Sequence, residues 1–241
     1  MHRQISAGLS HSMCCTNGGT LFTFGEGTFG QLGNVKYFMK GGAPTASDSP
    51  LPSMVSITDH DDHDQGTINQ KPLRVIQVAC GDYHSACITA DGLLFSWGLS
   101  SDGRLGHGES TTVSGSSSHS DTNQDEFSQV LPRPIEVFFR TKRRIQQVSC
   151  GSDHTLCIDD VKSAYSFGRG NYGALGLGDT NSRSRPIKIQ QGNSEIKWKM
   201  VAAGAKHSLL LAVDGSVYSC GHGGNGRLGL GKYIFSHTII L

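Results

Sequence analysis

Histidine is the residue type whose number and spacing first suggest chemistry in this sequence. Four histidines each follow a glycine by three residues and precede a Ser or Thr: His11, His84, His154 and His207. An imidazole can carry a proton, ligate a metal or make a scaffold hydrogen bond. Because the same surroundings recur four times, equivalent histidines would lie in successive structural units, too far apart to act together. We therefore expect scaffold hydrogen bonds from them.

The cysteines recur in the same way, at two positions of the repeat. One position holds Cys14, Cys87, Cys157 and Leu210, and the other holds Ala7, Cys80, Cys150 and Ala203. Replacement by leucine at one position and by alanine at the other is typical of small or apolar core positions. We interpret these cysteines as reduced core residues, without a zinc or redox role.

Other groups of reactive residues have simpler interpretations. The run His60–Asp64 contains metal-ligand types, but it lies in a segment predicted to be flexible, where ordering a site is unfavourable. The basic run Arg140–Arg144 is interpreted as a solvated turn. Glycine-rich stretches such as GRGNYGALGLG recur in every copy and precede no helix, which excludes a phosphate-binding loop. We predict no catalytic residues, no metal and no cofactor.

These residues belong to a repeat that is present four times. Segments 8–33, 81–106, 151–176 and 204–229 align without gaps, and each ends in Leu-Gly. The opening glycine of each copy is invariant: Gly8, Gly81, Gly151 and Gly204. The histidine and three later glycines are invariant as well. Periodic glycines of this kind indicate a repeated structural unit.

Each copy predicts four short strands. The histidine opens one strand, and an aromatic strand follows a turn: LFTFG, LFSWG, AYSFG and VYSCG. Another strand precedes the opening glycine, at 75–80, 145–150 and 199–203. Proline-led stretches, KPLRV, RPIEV and RPIKI, suit outer edge strands because proline cannot donate to a ladder. Strands that are apolar on both faces are typical of stacked propeller blades.

The pattern G-x-x-H-[ST], a DG turn, an aromatic strand and G-x-x-x-x-G-x-L-G resembles the repeat of the regulator of chromosome condensation family. The resemblance implies an all-β fold, a seven-bladed β-propeller of which this chain supplies about four blades. We therefore expect one partial propeller over residues 1–241; a closed four-bladed wheel is the alternative. We predict flexible inserted loops at 34–70 and 109–131 and an atypical tail at 232–241.

The two residues between each opening glycine and its histidine vary while their neighbours do not. They are Leu9 and Ser10, Asp82 and Tyr83, Ser152 and Asp153, and Ala205 and Lys206. Variable tips on a fixed scaffold are typical of recognition loops. We predict that the last three pairs bind a partner. The resemblance also implies that acidic residues here engage a small Ran-like GTPase in exchange factors; Asp82 and Asp153 match that pattern, and Lys206 does not.

Composition narrows the function further. The chain has 21 basic and 20 acidic residues, and a net charge of +1 provides no electrostatic basis for nucleic-acid binding. No apolar run is long enough to span a membrane, and the first residues do not resemble a signal peptide, so we expect a cytoplasmic or nuclear protein. We predict a non-catalytic protein-interaction module. The alternatives are a guanine-nucleotide exchange factor and the recognition portion of a ubiquitin ligase without its catalytic domain.

Overall fold

The computed structural model describes residues 4–34, 48–58, 72–108, 128–192, 195–231 and 236–240. These residues form four antiparallel sheets of four strands each and one short helix, α1 (Glu136–Arg140). Each sheet contains one copy of the repeat, so one repeat corresponds to one blade of a propeller. The predicted all-β fold with four blades is confirmed.

Within each blade the strands follow chain order from the inner to the outer edge. Blade 1 contains β1 (Gln4–Ala7), β2 (His11–Cys15), β3 (Leu21–Gly25) and β4 (Ser49–Val55). Blade 2 contains β5 (Val75–Cys80), β6 (His84–Thr89), β7 (Leu94–Leu99) and β8 (Ser128–Pro134). Blade 3 contains β9 (Ile145–Cys150), β10 (His154–Asp159), β11 (Ala164–Gly168) and β12 (Arg183–Lys188). Blade 4 contains β13 (Trp198–Ala203), β14 (His207–Ala212), β15 (Val217–Gly221) and β16 (Ser236–Ile240).

The outer strands differ from the prediction. Residues 49–55 and 128–131 lie in segments predicted to be flexible loops, and residues 236–240 lie in the predicted atypical tail, but all three form outer strands. The physical reason is that the third strand of each blade has a free edge, and an outer strand satisfies it with backbone hydrogen bonds alone. Residues 35–47, 59–71 and 109–127 are outside the described residues, so their flexibility stays a prediction.

The proline-led stretches are also placed differently. Pro134 ends β8 and Pro186 lies inside β12, whereas residues 72–74 of KPLRV precede β5 without forming a strand. The outer strand of blade 1 is therefore Ser49–Val55, which itself contains two prolines. Proline suits the outer strand, as expected, but it does not mark the first residue of that strand.

The core consists of three layers, each between two neighbouring blades. Every residue of β6 and of β10 is buried, because these strands have a blade on both sides. In the first layer, Met13 of blade 1 packs with Cys87 and Trp97 of blade 2. Most of the recurring cysteines lie in such layers or near the axis, whereas Cys14 is partly exposed on blade 1. Burial raises the pKa of the Cys80 thiol to about 12. This is the environment of inert, reduced core cysteines.

The four sheets form an open arc. Each blade packs against its neighbours in sequence, and blades 1 and 4 do not close the ring, so the propeller is incomplete. Within the described ranges, no helix has the length and apolar character that crossing a bilayer requires.

The repeat histidines join adjacent blades by hydrogen bonds. Each Nε2 lies 2.9 Å from the hydroxyl that follows the next blade's histidine: His11 to Ser85, His84 to Thr155, and His154 to Ser208. Each hydroxyl donates in turn to a carbonyl in the glycine-rich loop of the first blade: Gln31, Arg104 and Ala174. We call each such set of three groups an interblade clasp.

The clasp fixes the protonation state of its histidine. A hydroxyl has one hydrogen, and that hydrogen is donated to the carbonyl, so the imidazole must donate from Nε2. Nδ1 then carries no proton, and in His11 and His84 it has no hydrogen-bond partner. Burial lowers the pKa of His11 and of His154 to about 4 and lowers that of His84 well below its usual value. The clasped histidines are therefore neutral at physiological pH.

Candidate protein-interaction surface

The variable residue pairs all lie at one end of the blades. Each pair connects the inner strand to the second strand, and the glycine-rich loop follows the third strand. Because strand direction alternates, both connections emerge at the same end of the blade. The glycine-rich loops contain short 3-10 turns at Ser101–Gly103, Asn171–Gly173 and Gly224–Gly226. We call this end the loop face.

The two residues of each pair have different surroundings. The first residues line the mouth of an axial groove between the inner strands: Leu9, Asp82, Ser152 and Ala205. The second residues contact the glycine-rich loop side of the face: Ser10 donates to Glu26, Tyr83 packs edge-on against Phe29, Asp153 pairs with arginines, and Lys206 lies over Tyr172. In each predicted pair, the first residue thus lies near the axis and the second lies farther out, beside the glycine-rich loops.

Asp153 is part of a four-residue ionic network that joins blades 2 and 3. One carboxylate oxygen lies 2.8 Å from Arg104 Nη1, and the other lies 3.1 Å from Arg169 Nη1. Asp102 completes the network, 3.4 Å from Arg104 Nη2 and 3.0 Å from Arg169 Nη2. Two acids and two bases balance, so the network is neutral overall.

Arg104 is the buried centre of this network. Its side chain is 3% exposed, and it also donates to the Ser101 carbonyl at 3.0 Å and to the Ser101 hydroxyl at 2.9 Å. Burial lowers the pKa of Arg104, and the charges of Asp153 and Asp102 oppose that shift. Since a buried guanidinium needs both carboxylates, the network holds the loops of blades 2 and 3 in fixed relative positions.

Removing Arg104 should therefore destabilise the protein. We expect Arg104→Gln to lower the free energy of unfolding by about 2 to 3 kcal/mol, because it leaves two carboxylates without their buried partner. Arg140→Gln is the matched control, since Arg140 pairs with Glu136 on an exposed helix surface and should change stability by less than about 0.5 kcal/mol. Urea unfolding of both variants measures the difference; equal stabilities would contradict the assigned role.

Blades 3 and 4 together present a cationic and aromatic part of the loop face. Lys206 Nζ lies 5.7 Å from the centre of the Tyr172 ring, and that ring meets His222 edge-on at 4.8 Å. Tyr172 is 38% exposed and lines a shallow pocket with Arg169, Ala205 and Lys206. We call Arg169, Tyr172 and Lys206 the exposed triad.

Sequence reasoning predicted Asp153, Ala205 and Lys206 but missed the residues of the glycine-rich loops that meet them. Those residues are Asp102, Arg104, Arg169, Tyr172 and His222. The available signal was that their positions vary between invariant glycines, as the predicted pairs do. Asp102 and Tyr172 have φ of 59° and 62°, and Asn225 in the same column has φ of 58°, so this left-handed conformation belongs to the repeated loop geometry.

Comparison of the sequence with known protein families agrees with the propeller architecture described above. The family described as the RCC1-like domain matches residues 2–238. The chain belongs to the RCC1-like domain family. The repeat identified from the residues, the blade and the family's repeat are therefore the same unit.

Two curated RCC1-like relatives illustrate the range of proteins that contain this domain. The chain is 35% identical over 228 residues to the ultraviolet-B receptor UVR8 of Arabidopsis thaliana, covering 94% of this chain and 43% of the relative. It is 30% identical over 230 residues to the E3 ubiquitin-protein ligase HERC2 of Homo sapiens, covering 95% of this chain and 4% of the relative. The chain thus spans less than half the length of either relative.

Solved structures confirm the RCC1-like fold. Prp20p from Saccharomyces cerevisiae superposes with a TM-score of 0.70 at 23% identity, covering 98% of this chain and 49% of that one. Human WBSCR16 superposes with a TM-score of 0.69 at 23% identity, covering 98% and 52%. At this identity the match concerns the fold alone.

Proposed function

We propose that this RCC1-like chain is a non-catalytic interaction module that binds a protein partner through the loop face, with the exposed triad at the centre of the contact. The observation that carries the proposal is the triad itself: Lys206 lies over a partly exposed Tyr172, and Arg169, held by Asp102 and Asp153, lines the same pocket. Arginine and tyrosine are enriched among the residues that dominate binding energy at protein interfaces. A partner segment with carboxylates beside an apolar side chain fits this chemistry.

The rigidity of the surface supports the same proposal. Asp153 and Asp102 fix Arg169, and the buried Arg104 fixes both carboxylates. Ser152 N–H also donates to the Ala205 carbonyl at 3.3 Å, which ties the loop of blade 3 to that of blade 4. A surface held in this way loses little conformational entropy when it binds.

The alternatives are less well supported. In the exchange-factor hypothesis Asp82 and Asp153 would act on a small GTPase, but Asp153 is already paired with two arginines, and Asp82 lies apart from it at the axial groove. The ligase hypothesis draws on the name of HERC2, of which this chain covers only 4%. The chain would then provide recognition, and any catalysis would come from elsewhere in such a protein.

A charge reversal in the triad tests the proposal. We expect Lys206→Glu to weaken partner binding by about tenfold or more, since it replaces the cation over Tyr172 with a like charge for an acidic partner. Lys199→Glu is the matched control, an exposed lysine at the opposite end of blade 4. The readout is affinity capture from lysate with quantitative mass spectrometry, followed by titration of the recovered partner.

The outcomes separate the hypotheses. Proteins retained by the wild type and by Lys199→Glu but lost with Lys206→Glu support binding through the triad. Equal capture by all three chains would refute it. A nucleotide-release assay on a Ran-like GTPase tests the exchange alternative: acceleration that is abolished by Asp82→Asn would establish exchange activity in place of simple binding.

A further inference from the structure

One position of the glycine-rich loop holds a long side chain in three blades and an alanine in blade 3. The four residues at this position are Gln31, Arg104, Ala174 and Arg227. Gln31 is buried at the junction of blades 1 and 2, and Arg104 is buried at the junction of blades 2 and 3. Ala174 is equally buried, but its side chain is a single methyl group. The junction of blades 3 and 4 therefore lacks the side chain that fills this place at the two preceding junctions.

The shallow pocket of the loop face lies where a longer side chain at this position would extend. At the preceding junction Arg104 contacts three residues through ion pairs or hydrogen bonds: Ser101, Asp102 and Asp153. Their equivalents in blades 3 and 4 all line the pocket, together with Ala174: Asn171, Tyr172 and Lys206. The pocket has a volume of about 80 Å³, which is several times the space that one water molecule requires. We call it the Ala174 pocket.

The charges at the Ala174 pocket are reversed relative to the preceding junction. Between blades 2 and 3, the side chain that fills the place is a cation, Arg104, and the next blade supplies a carboxylate, Asp153. Between blades 3 and 4, the residue equivalent to Asp153 is the cation Lys206. Among the described residues, no carboxylate forms an ion pair with Lys206. The group that complements this junction is therefore an anion in the space beside Ala174.

Arg169 also lines the Ala174 pocket, but its charge is already balanced. Its two terminal nitrogens pair with Asp102 at 3.0 Å and with Asp153 at 3.1 Å, within the neutral network of blades 2 and 3. Among the described lining residues, Lys206 therefore supplies the uncompensated charge. One carboxylate balances a single ammonium, whereas a phosphate group would bring a charge of about −1.5 to −2 close to Asp153. The lining thus favours a carboxylate over a phosphate.

We propose that the Ala174 pocket receives a glutamate or aspartate side chain of the partner, with the carboxylate paired to Lys206. The methylene part of that side chain lies against the Tyr172 ring and the Ala174 methyl group, which are apolar parts of the lining. The side-chain amide of Asn171 donates to the second carboxylate oxygen. This inference rests on the proposed function and deepens it, because it names the group that enters the loop face.

Substitutions at Ala174 test the chemistry of the pocket without a partner. Ala174→Glu places a carboxylate in the pocket, and Ala174→Gln places the uncharged equivalent, which is the residue type of blade 1 at this position. A glutamate side chain and that of Lys206 together contain as many bonds along their length as those of Arg104 and Asp153, so the two charges can meet. Both variants are expected to keep the interblade clasp, since Ser208 donates to the backbone carbonyl of Ala174.

The measurement is a double-mutant cycle based on urea unfolding. We expect the folding equilibrium constant of Ala174→Glu to be about threefold larger than that of Ala174→Gln, as for an ion pair at a partly exposed site. The difference should vanish when both chains also carry Lys206→Met, which removes the charge and keeps most of the stem. Equal constants in the wild-type background, or a difference that persists without the ammonium, would overturn the assignment of a carboxylate to the pocket.

Binding is tested with a random peptide library displayed on phage and selected on the immobilised full chain. The wild type should enrich peptides that share a glutamate or aspartate, and replacing that residue by its amide in a synthetic peptide should weaken binding about tenfold. Ala174→Glu, which fills the pocket from within, should bind the same peptides about tenfold more weakly. Gln146→Glu is the matched control, because it adds the same charge at an exposed position at the far end of blade 3.

Each outcome identifies the hypothesis that fails. Acidic peptides lost with Ala174→Glu but retained with Gln146→Glu support the carboxylate pocket. A wild type that enriches no acidic peptides, or acidic peptides that bind Ala174→Glu and the wild type equally, would overturn this inference and leave the proposed function intact. Equal capture of partners by Lys206→Glu and the wild type would overturn the proposed function, and this inference would fall with it.

Discussion

Gly81→Ala is expected to destabilise the protein by more than about 4 kcal/mol, enough to unfold a domain of ordinary stability. A Cβ at Gly81 would overlap the His84 ring and lie 2.6 Å from the carbonyl oxygen of Gly151 in the next blade. Neither neighbour can retreat, since the ring is clasped to Thr155 and the carbonyl belongs to a packed backbone. The substitution therefore combines overpacking with loss of a buried clasp.

Gly18→Ala is the matched control for this prediction. The nearest atom to a Cβ at Gly18 is Thr16 Oγ1 at 3.7 Å, an ordinary contact, and the expected change is within about 0.5 kcal/mol. Trp97 and Trp198 are buried in blade interfaces, so their fluorescence reports unfolding directly. Similar unfolding midpoints for the two alanine variants would show that the opening glycine is not required for blade contact.

Mild acid is expected to unfold the protein through the clasped histidines. The pKa of His11 and of His154 is about 4 in the folded state, that of His84 is also far below its usual value, and an unfolded histidine has a pKa of about 6.5. As pH falls below about 6.5 the unfolded chain binds protons that the folded chain does not, so stability decreases as pH falls toward about 4. The three residues together should remove on the order of 5 kcal/mol between about pH 7 and pH 5.

The measurement is urea unfolding followed by tryptophan fluorescence across this pH range. His11→Gln keeps an amide donor in a similar position but does not titrate, so its average slope between pH 7 and pH 5 should be lower by about 0.8 kcal/mol per pH unit. His237→Gln changes an exposed histidine outside the clasps and should retain the slope of the wild type. A pH-independent stability between pH 7 and pH 5 would contradict the neutral, clasped state.

The recurring columns of the repeat predicted the blades because several of them make blade-to-blade contacts. Gly81 approaches the next blade, His84 clasps it, and Cys87 packs in the core layer. Sequence reasoning failed where backbone hydrogen bonds, more than side-chain burial, define a strand. Ser49–Val55 forms an outer strand although Leu51 and Met54 are exposed, because the edge of β3 requires only a backbone partner. Composition had indicated a loop.

Only some residues of the candidate surface could be predicted from the sequence, and the reason differs from that for the outer strands. The variable pairs could be recognised because their flanks are invariant, and Asp153 and Lys206 do lie on the loop face. Their partners, Arg104 and Tyr172, belong to different columns and, in each case, to the preceding blade. A repeat alignment compares equivalent positions, so it does not reveal contacts between positions that are not equivalent.

The interblade clasps also determine where the molecule is expected to open. Every clasp joins a blade only to its neighbour, so the unfolding of one blade is coupled directly only to that of adjacent blades, as in a linear repeat protein. Among the four described blades, blades 2 and 3 are each held on two sides, whereas blades 1 and 4 are each held on one. In this chain taken by itself, local unfolding should therefore begin at β1 and at β16 and move inward, and the loops of blades 2 and 3 should persist as the last ordered part of the surface.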